Sequence, residues 1–584
     1  MSVNLQSLQR SSTTPAASDS RQSGQSTLVT MSPQAHRREQ PLPAIAYMGL
    51  GVWNIYFLTK FFLYWKQYIG FHVLENLAFA AFLLVPVRSA TGRILRQLLA
   101  LPVGIALFYY DSWLPPVERL FSQATNLQGF SLTYLAELAG RFIDIRILAI
   151  LVLIWAGTQI LSHYLRIGTL VTTTLIAMLI WDTLEQQGIP LPATTTFAAN
   201  TQGEGQTPQT TSDGTREPLG AVLEGFYRQE AGQQVNFPAP APDSVPFDLL
   251  FLHVCSLSWD DLALAGLTNH PLFDRFDLLF TNFNSASSYS GPATVRLLRA
   301  TCGQPSHHDL YQPAPAHCYL FENLSQAGFT PQLAMNHDGH FDGFLEVVRE
   351  RGKLKASLLP LDDIAIAQRS FDDSPIHGDL AVLGHWLEQR QRDKKARVAT
   401  YYNSISLHDG NRLVAGPGSE LNSLESYPLR LQQLLDDLEQ FLHQVETSGR
   451  RMVLVLVPEH GAAIRGDRMQ IAGLREIPSP AITRVPVAIK IIGPGLERQG
   501  DQLRIEDPVS YLTISHIIER LLQEDTFGGK DYDPARLVAD LSRTDFVAEN
   551  EGTVVMRHDG RYHLRLEGEA WMDYPVAEAK RVIP

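Results

Sequence analysis

Four short stretches hold residues whose types could do chemistry: Cys255-Ser256, Tyr289-Ser290-Gly291-Pro292, His408-Asp409 and Glu459-His460. Cys255, Glu459 and His460 offer sulfur, oxygen and nitrogen, a donor set suited to a tetrahedral zinc ion. With Ser290 as fourth ligand, the nucleophile itself would close the site. The ion would lower the hydroxyl pKa and generate an alkoxide at neutral pH. Pro292 suits the first turn of a helix and places Ser290 at its N-terminus, where free N–H groups favour an alkoxide or a phosphate. Arg475 and Arg468 are cations that could contact such a phosphate. Each signal has a bland counterpart. Ser290 could be a plain N-cap, Cys255 an inert core thiol, His408-Asp409-Gly410 a turn, and Glu459-His460 ordinary loop polarity. Their joint placement is what favours the metal reading.

That placement depends on the elements behind them. Phe247–Val254, Asp277–Phe283, Val398–Asn403, Met452–Val457 and Val485–Ile492 are short apolar runs. Runs of this kind suit parallel strands buried on both faces. Between the third and fourth runs lies a helical pattern with Leu431, Leu434, Leu435, Leu438, Leu442 and Val445 on one face, stopping at Ser448-Gly449. Alternating strands and helices predict a layered α/β domain with a mostly parallel central sheet. Ligands of such sheets bind beyond the carboxyl ends of the strands. Four of the runs deliver a thiol, a hydroxyl, an imidazole and a carboxylate–imidazole pair to that edge. Residues 551–567 alternate apolar and polar residues and read as a terminal hairpin or edge strand.

The chain has 584 residues, enough for two or three domains. Only 19% of them are charged, and the deficit is concentrated between residues 43 and 181. That excludes a purely soluble protein. The net charge of −13 argues against a nucleic-acid partner, since phosphate binding needs a basic surface. Residues 1–40 read as a disordered cytoplasmic tail, 41–187 as a transmembrane domain of about five helices, 188–245 as a linker with a short helix at 219–231, and 246–584 as an extracytoplasmic catalytic domain. The spans are expected at 43–65, 69–87, 94–110, 147–165 and 168–184, with Pro102 interrupting the third. An interfacial helix is expected around Phe130 to Phe142. Arg37, Arg38, Arg88, Arg93, Arg96 and Arg166 mark the cytoplasmic loops, so the catalytic domain lies outside. Asn54, Lys60 and Glu75 fall within spans and either serve a substrate path or pair and snorkel. An oxidising compartment permits a disulfide between Cys302 and Cys318, with two free thiols as the alternative.

The stretches Cys255-Ser-Leu-Ser-Trp, Asn284-Ser-Ala-Ser-Ser-Tyr-Ser290-Gly-Pro, Leu407-His408-Asp-Gly, Pro458-Glu459-His460-Gly and Gly466-Asp-Arg468-Met-Gln resemble those of the cellulose phosphoethanolamine transferases of bacterial cellulose-synthase systems, the BcsG type. The resemblance implies an N-terminal multi-span α-helical membrane domain and a C-terminal domain of the alkaline phosphatase type. It implies transfer of phosphoethanolamine from phosphatidylethanolamine to glucose 6-hydroxyls of cellulose. Ser290 would be the nucleophile and a zinc ligand, with Cys255, Glu459 and His460 completing the Zn2+ site. His408 would act as general acid or base. Tyr289, His408 and Arg475 would line the substrate site, and Cys302–Cys318 would be a disulfide. The inner membrane and subunits of the cellulose synthase complex would be its partners. Related transferases that modify lipopolysaccharide have a carboxylate where this chain has Cys255, and Thr as nucleophile. The alternatives are a transferase with another glycan or lipid acceptor, a zinc phosphodiesterase or hydrolase, and a non-catalytic scaffold of the synthase complex.

Overall fold

A computed structural model describes residues 50–66, 69–87, 89–112, 129–142, 145–161, 166–186, 218–241, 243–467 and 469–575. The tail 1–40, the linker before residue 218 and Arg468 lie outside the described residues.

Apolar helices fill the N-terminal part: α1 (Trp53–Trp65), α2 (Val73–Leu84), α3 (Ala90–Tyr110), α4 (Leu132–Phe142), α5 (Ile145–Leu161) and α6 (Ile167–Gln186). Phe57, Phe79, Leu83, Ala100, Val171 and Leu175 from four of these helices form one buried cluster. Leucines and aromatics elsewhere on the same helices are exposed, including Leu98, Leu101, Leu153 and Trp155. Among the described residues only α3 is both long and apolar enough to cross a membrane. Pro102 was expected to interrupt that segment, but it sits inside an unbroken 21-residue helix. A proline removes one ladder hydrogen bond, a loss that an apolar helix packed among neighbours can tolerate. α4 coincides with the expected interfacial helix. α7 (Leu219–Ala231) coincides with the short helix expected before the catalytic domain.

The C-terminal part is built on seven strands: β1 (Asp248–Val254), β2 (Leu278–Asn284), β3 (Thr330–Met335), β4 (Val398–Ser404), β5 (Met452–Leu456), β6 (Arg484–Ile492) and β7 (Leu503–Ile505). Their order across the sheet is β7-β2-β6-β5-β1-β4-β3. β1 pairs in parallel with β4 on one side and β5 on the other. β6 was expected to be parallel, yet it runs antiparallel to both β2 and β5, so the sheet is mixed. Burial on both faces gives a strand its apolar run whatever its direction, so composition could not reveal the reversal. Helices cover both faces. One layer contains α8 (Ser290–Leu298), the other α9 (Asp379–Arg392) and α10 (Ser423–Thr447). In α10 the six apolar residues that define the sequence stripe are all buried against the sheet. The expected hairpin is Thr553–His558 with Arg561–Leu566, inside a separate antiparallel sheet of four strands.

Candidate metal and nucleophile site

Parallel pairing creates the site. The register sets Leu252 beside Leu456, and the pairing continues past the strand ends, where the Glu459 N–H donates to the Val254 carbonyl at 2.8 Å. Cys255 and Glu459-His460 therefore leave adjacent strands side by side. The Leu257 N–H then donates to the His460 carbonyl at 2.6 Å. Between these contacts Ser256 adopts φ = 63°, a left-handed conformation costly for a residue with a Cβ. The buried Tyr427 hydroxyl holds that turn by donating to the Ser256 carbonyl at 2.6 Å. After His460 only glycine fits, since a Cβ on Gly461 would lie 2.5 Å from Ser258 Oγ and 2.7 Å from Asp261 Oδ2.

Ser290 opens α8 and faces the same point. Its Oγ lies 3.4 Å from Cys255 Sγ and 3.3 Å from His460 Nε2. Cys255 Sγ is 3.9 Å from His460 Nε2, which is 3.8 Å from Glu459 Oε2. One ligand atom each of Cys255, Glu459 and His460 lies within 4.8 Å of the others. His460 Nδ1 lies 2.9 Å from the Gly461 carbonyl and 3.2 Å from Arg475 Nη1; with its proton on the shorter contact, to the carbonyl, the Nε2 lone pair faces the cluster. Glu459 Oε1 accepts from Asn403 Nδ2 at 2.6 Å, while Oε2 is buried without a hydrogen-bond partner. An orphaned carboxylate oxygen, a thiol, a hydroxyl and an imidazole lone pair converging on one buried point fit a tetrahedral cation.

Electrostatics agree with a site that waits for positive charge. Burial pushes the Cys255 thiol up to about 12, with Glu459 adding to the effect. Burial likewise raises Glu459 to about 7. Burial, then Arg475, holds His460 well below the ordinary imidazole value. All three prefer their neutral forms until a cation compensates the anionic ones.

Arg475 flanks the cluster. Its Nη1 donates to Ser256 Oγ at 3.3 Å and its guanidinium lies 5.6 Å from the centroid of the Tyr289 ring. The Tyr289 hydroxyl donates to Glu476 Oε1 at 2.7 Å. His408 shares this electrostatic neighbourhood, and burial, then Arg475, pushes it down to about 4. Its Nδ1 donates to the Asp409 carbonyl at 2.7 Å, so the lone pair is on Nε2. No direct contact joins His408 to the four clustered donors among the described residues. Cys302 and Cys318 form a disulfide in the segment that follows α8.

Sequence reasoning missed several positioning residues. Asn403, one residue before the end of β4, holds Glu459. His253, buried in β1, places Nε2 3.9 Å from Glu459 Oε1. Asn550 donates to Ser288 Oγ at 2.6 Å and to the carbonyls of Arg475 and Glu476 at 3.0 Å, tying the nucleophile loop to the Arg475 loop. The available signal was a polar residue near the carboxyl end of an apolar strand, present for His253 and Asn403. Asn550 lies too far along the chain to carry one.

Known proteins bear on this geometry. Residues 203–571 match the family described as cellulose biosynthesis protein BcsG C-terminal domain, and residues 53–180 its N-terminal domain. Cellulose biosynthesis protein BcsG of Escherichia coli K12 is 43% identical over 548 residues, covering 90% of this chain and 96% of that one. The Salmonella typhimurium LT2 protein of the same name is 42% identical over the same coverage. More distant likenesses include a Vibrio parahaemolyticus protein of the alkaline phosphatase superfamily (12% identical, 61% of this chain and 88% of that one, TM-score 0.45). The periplasmic domain of EcEptC from Escherichia coli is another (17%, 58% and 96%, TM-score 0.39). On the two domain matches and the near full-length identity, this chain belongs to the BcsG family of cellulose biosynthesis proteins.

Proposed function

We propose that this protein transfers phosphoethanolamine from phosphatidylethanolamine to glucose 6-hydroxyls of cellulose through a covalent Ser290 intermediate. The observation that carries the reading is the convergence of Cys255, Ser290, Glu459 and His460 on one buried point at the start of α8. The relatives are cellulose biosynthesis proteins, which supports cellulose as the acceptor class. The four residues would hold zinc, which supplies a Lewis acid and a lowered pKa for the serine hydroxyl.

The chain's own residues supply the rest. Ser290 Oγ attacks the lipid phosphorus, and the bond from phosphorus to the glycerol oxygen breaks. His408 Nε2, unprotonated at neutral pH, takes the serine proton through one bridging water and hands it to the departing diacylglycerol. In the return step the same nitrogen takes the proton of a glucose 6-hydroxyl, whose oxygen displaces Ser290, and returns that proton to the serine. Arg475 offsets charge on the phosphoryl oxygens. Tyr289, held by Glu476, lines the same wall.

The basic residues of the N-terminal loops support a catalytic domain on the periplasmic side of the inner membrane, beside its lipid donor. Tethering there raises the effective donor concentration. Cellulose synthase subunits are the partners this placement would serve. The test uses the full-length protein in vesicles containing phosphatidylethanolamine. Intact mass should show phosphoethanolamine on Ser290, discharged by a soluble cello-oligosaccharide. Cys255→Ala should lose bound zinc, and Ser290→Ala should gain no adduct. An adduct on Ser290→Ala overturns the proposal.

A further inference from the structure

α4 belongs to the loop between the third and fourth apolar spans, remote in sequence from every site residue. In the fold it lies against the His408 loop. The Ser131 N–H donates to the Phe371 carbonyl at 2.8 Å. The Phe130 and Tyr134 rings pack on the Phe371 ring at 5.1 and 6.0 Å between centroids. Phe371 in turn lies 5.2 Å from the His408 ring. The Tyr134 hydroxyl donates to Asp409 Oδ2 at 3.0 Å, and the Tyr134 side chain is buried. One turn further, Glu137 Oε2 accepts from the Ser423 N–H at 3.4 Å, where α10 begins.

The loop these groups touch has little freedom of its own. Gly410 has φ = 83°, and a Cβ there would collide with Phe371 and with the Tyr134 ring. From the catalytic-domain side, Arg430 Nη1 donates to the carbonyls of Ser406 at 2.7 Å and His408 at 3.3 Å. His408 is thus clamped by Arg430 on one side and by α4 on the other. The two clamps come from different parts of the chain. The charge distribution of the membrane loops puts α4 and the catalytic domain on the same side of the bilayer, an argument independent of these contacts.

We propose that Tyr134 is a positioning residue for His408. Its hydroxyl holds Asp409, and with it the His408 backbone and the Nδ1 acceptor, so that a segment of the membrane domain completes the active site. The inference rests on the role given to His408 above. A charged acceptor makes the Tyr134–Asp409 bond one of the stronger kinds.

The experiment is a double-mutant cycle on the full-length protein in phosphatidylethanolamine vesicles, following adduct formation on Ser290. Tyr134→Phe keeps the ring packing and removes only the hydroxyl. It should lower kcat about tenfold, leaving KM for the lipid, zinc content and melting temperature unchanged. Asp409→Ala should lower kcat by a similar factor, and the double variant should be no slower than Asp409→Ala alone. A merely structural tyrosine would move the melting temperature and would not couple to Asp409 in kcat. Tyr134→Phe at wild-type kcat, or independent effects in the cycle, overturns the inference. His408→Ala serves as control. If it is inactive while Tyr134→Phe is normal, only the positioning role fails. If His408→Ala is fully active, the role of His408 fails first and this inference with it.

Discussion

Behind Glu459 a relay of neutral groups fixes the carboxylate. Asn403 Nδ2 donates to Glu459 Oε1, and Asn403 Oδ1 accepts from His337 Nε2 at 2.8 Å. His337 Nδ1 accepts from the Gly339 N–H at 3.1 Å, so the ring is neutral with its proton on Nε2. The ring is buried, packed 5.7 Å from Phe344, with Asp338 and His340 as the nearest titratable groups. Burial pushes its pKa down to about 4, against the opposing bond to Asn403. The unfolded chain binds this proton near pH 6.5, the folded chain only near pH 4. In that window the unfolded state holds more protons, so stability rises with pH and is lost as pH falls. A shift of this size corresponds to roughly 3 kcal/mol at the acid end. His337→Gln retains a donor for Asn403 without titrating. Thermal melting of the wild type should therefore fall more steeply from pH 6.5 to 4 than that of His337→Gln. Equal slopes would show that His337 is not the group responsible.

Cys302 and Cys318, 16 residues apart in sequence, close a loop just after α8 and so brace the element that begins with the nucleophile. Closing such a loop is worth about 3 kcal/mol in the chain-entropy account. The Cys302→Ser/Cys318→Ser double variant should melt roughly 5–10 °C lower while still forming the Ser290 adduct at 25 °C. An unchanged melting curve would mean the loop is pinned equally well without the bond. Elements of this kind were readable from sequence where local pattern and burial coincide. β5 is an unbroken apolar run and β1 a run interrupted only by Asp248 and His253, and α10 carries its stripe at helical spacing, so Cys255, Glu459 and His460 could be placed at one edge. The direction of β6 was not readable, because a strand's polarity in the sheet is a property of its neighbours. The continuity of α3 through Pro102 was hidden too, since the cost of a proline depends on what surrounds it. The bonds from Asn403 to Glu459 and from Tyr134 to Asp409 join residues more than fifty positions apart, which no local pattern encodes.

At the scale of the whole chain, the N-terminal helices are joined by a buried polar knot. Lys60 in α1 forms an ion pair with Asp111 just beyond α3, and its Nζ donates to Asn76 Oδ1 at 2.7 Å. Asn76 Nδ2 in turn donates to Asp111 Oδ2 at 2.8 Å, and His72 Nδ1 lies 2.6 Å from Asp111 Oδ1. Lys60 and Asp111 are buried completely, so Lys60 pairs rather than faces solvent. Lys60 lies in the last turns of α1, His72 and Asn76 at the start of α2, and Asp111 after α3. On the orientation proposed above, this is the outer end of the bundle, from which the chain continues toward α4 and the catalytic domain. The knot therefore ties the ends of α1, α2 and α3 together. Removing one partner of a buried pair leaves an uncompensated charge and costs about 3–5 kcal/mol, whereas replacing both with apolar groups is often neutral. Asp111→Leu should lower the melting temperature of the full-length protein in detergent and broaden its size-exclusion profile. The Lys60→Met/Asp111→Leu double variant should recover most of both. If the single variant is as stable and monodisperse as the wild type, the pair does not hold the bundle. If the double variant remains as damaged as the single one, the defect lies in Asn76 and His72 losing their acceptor and not in the stranded lysine. The two measurements thus separate the charge of the knot from its hydrogen bonds.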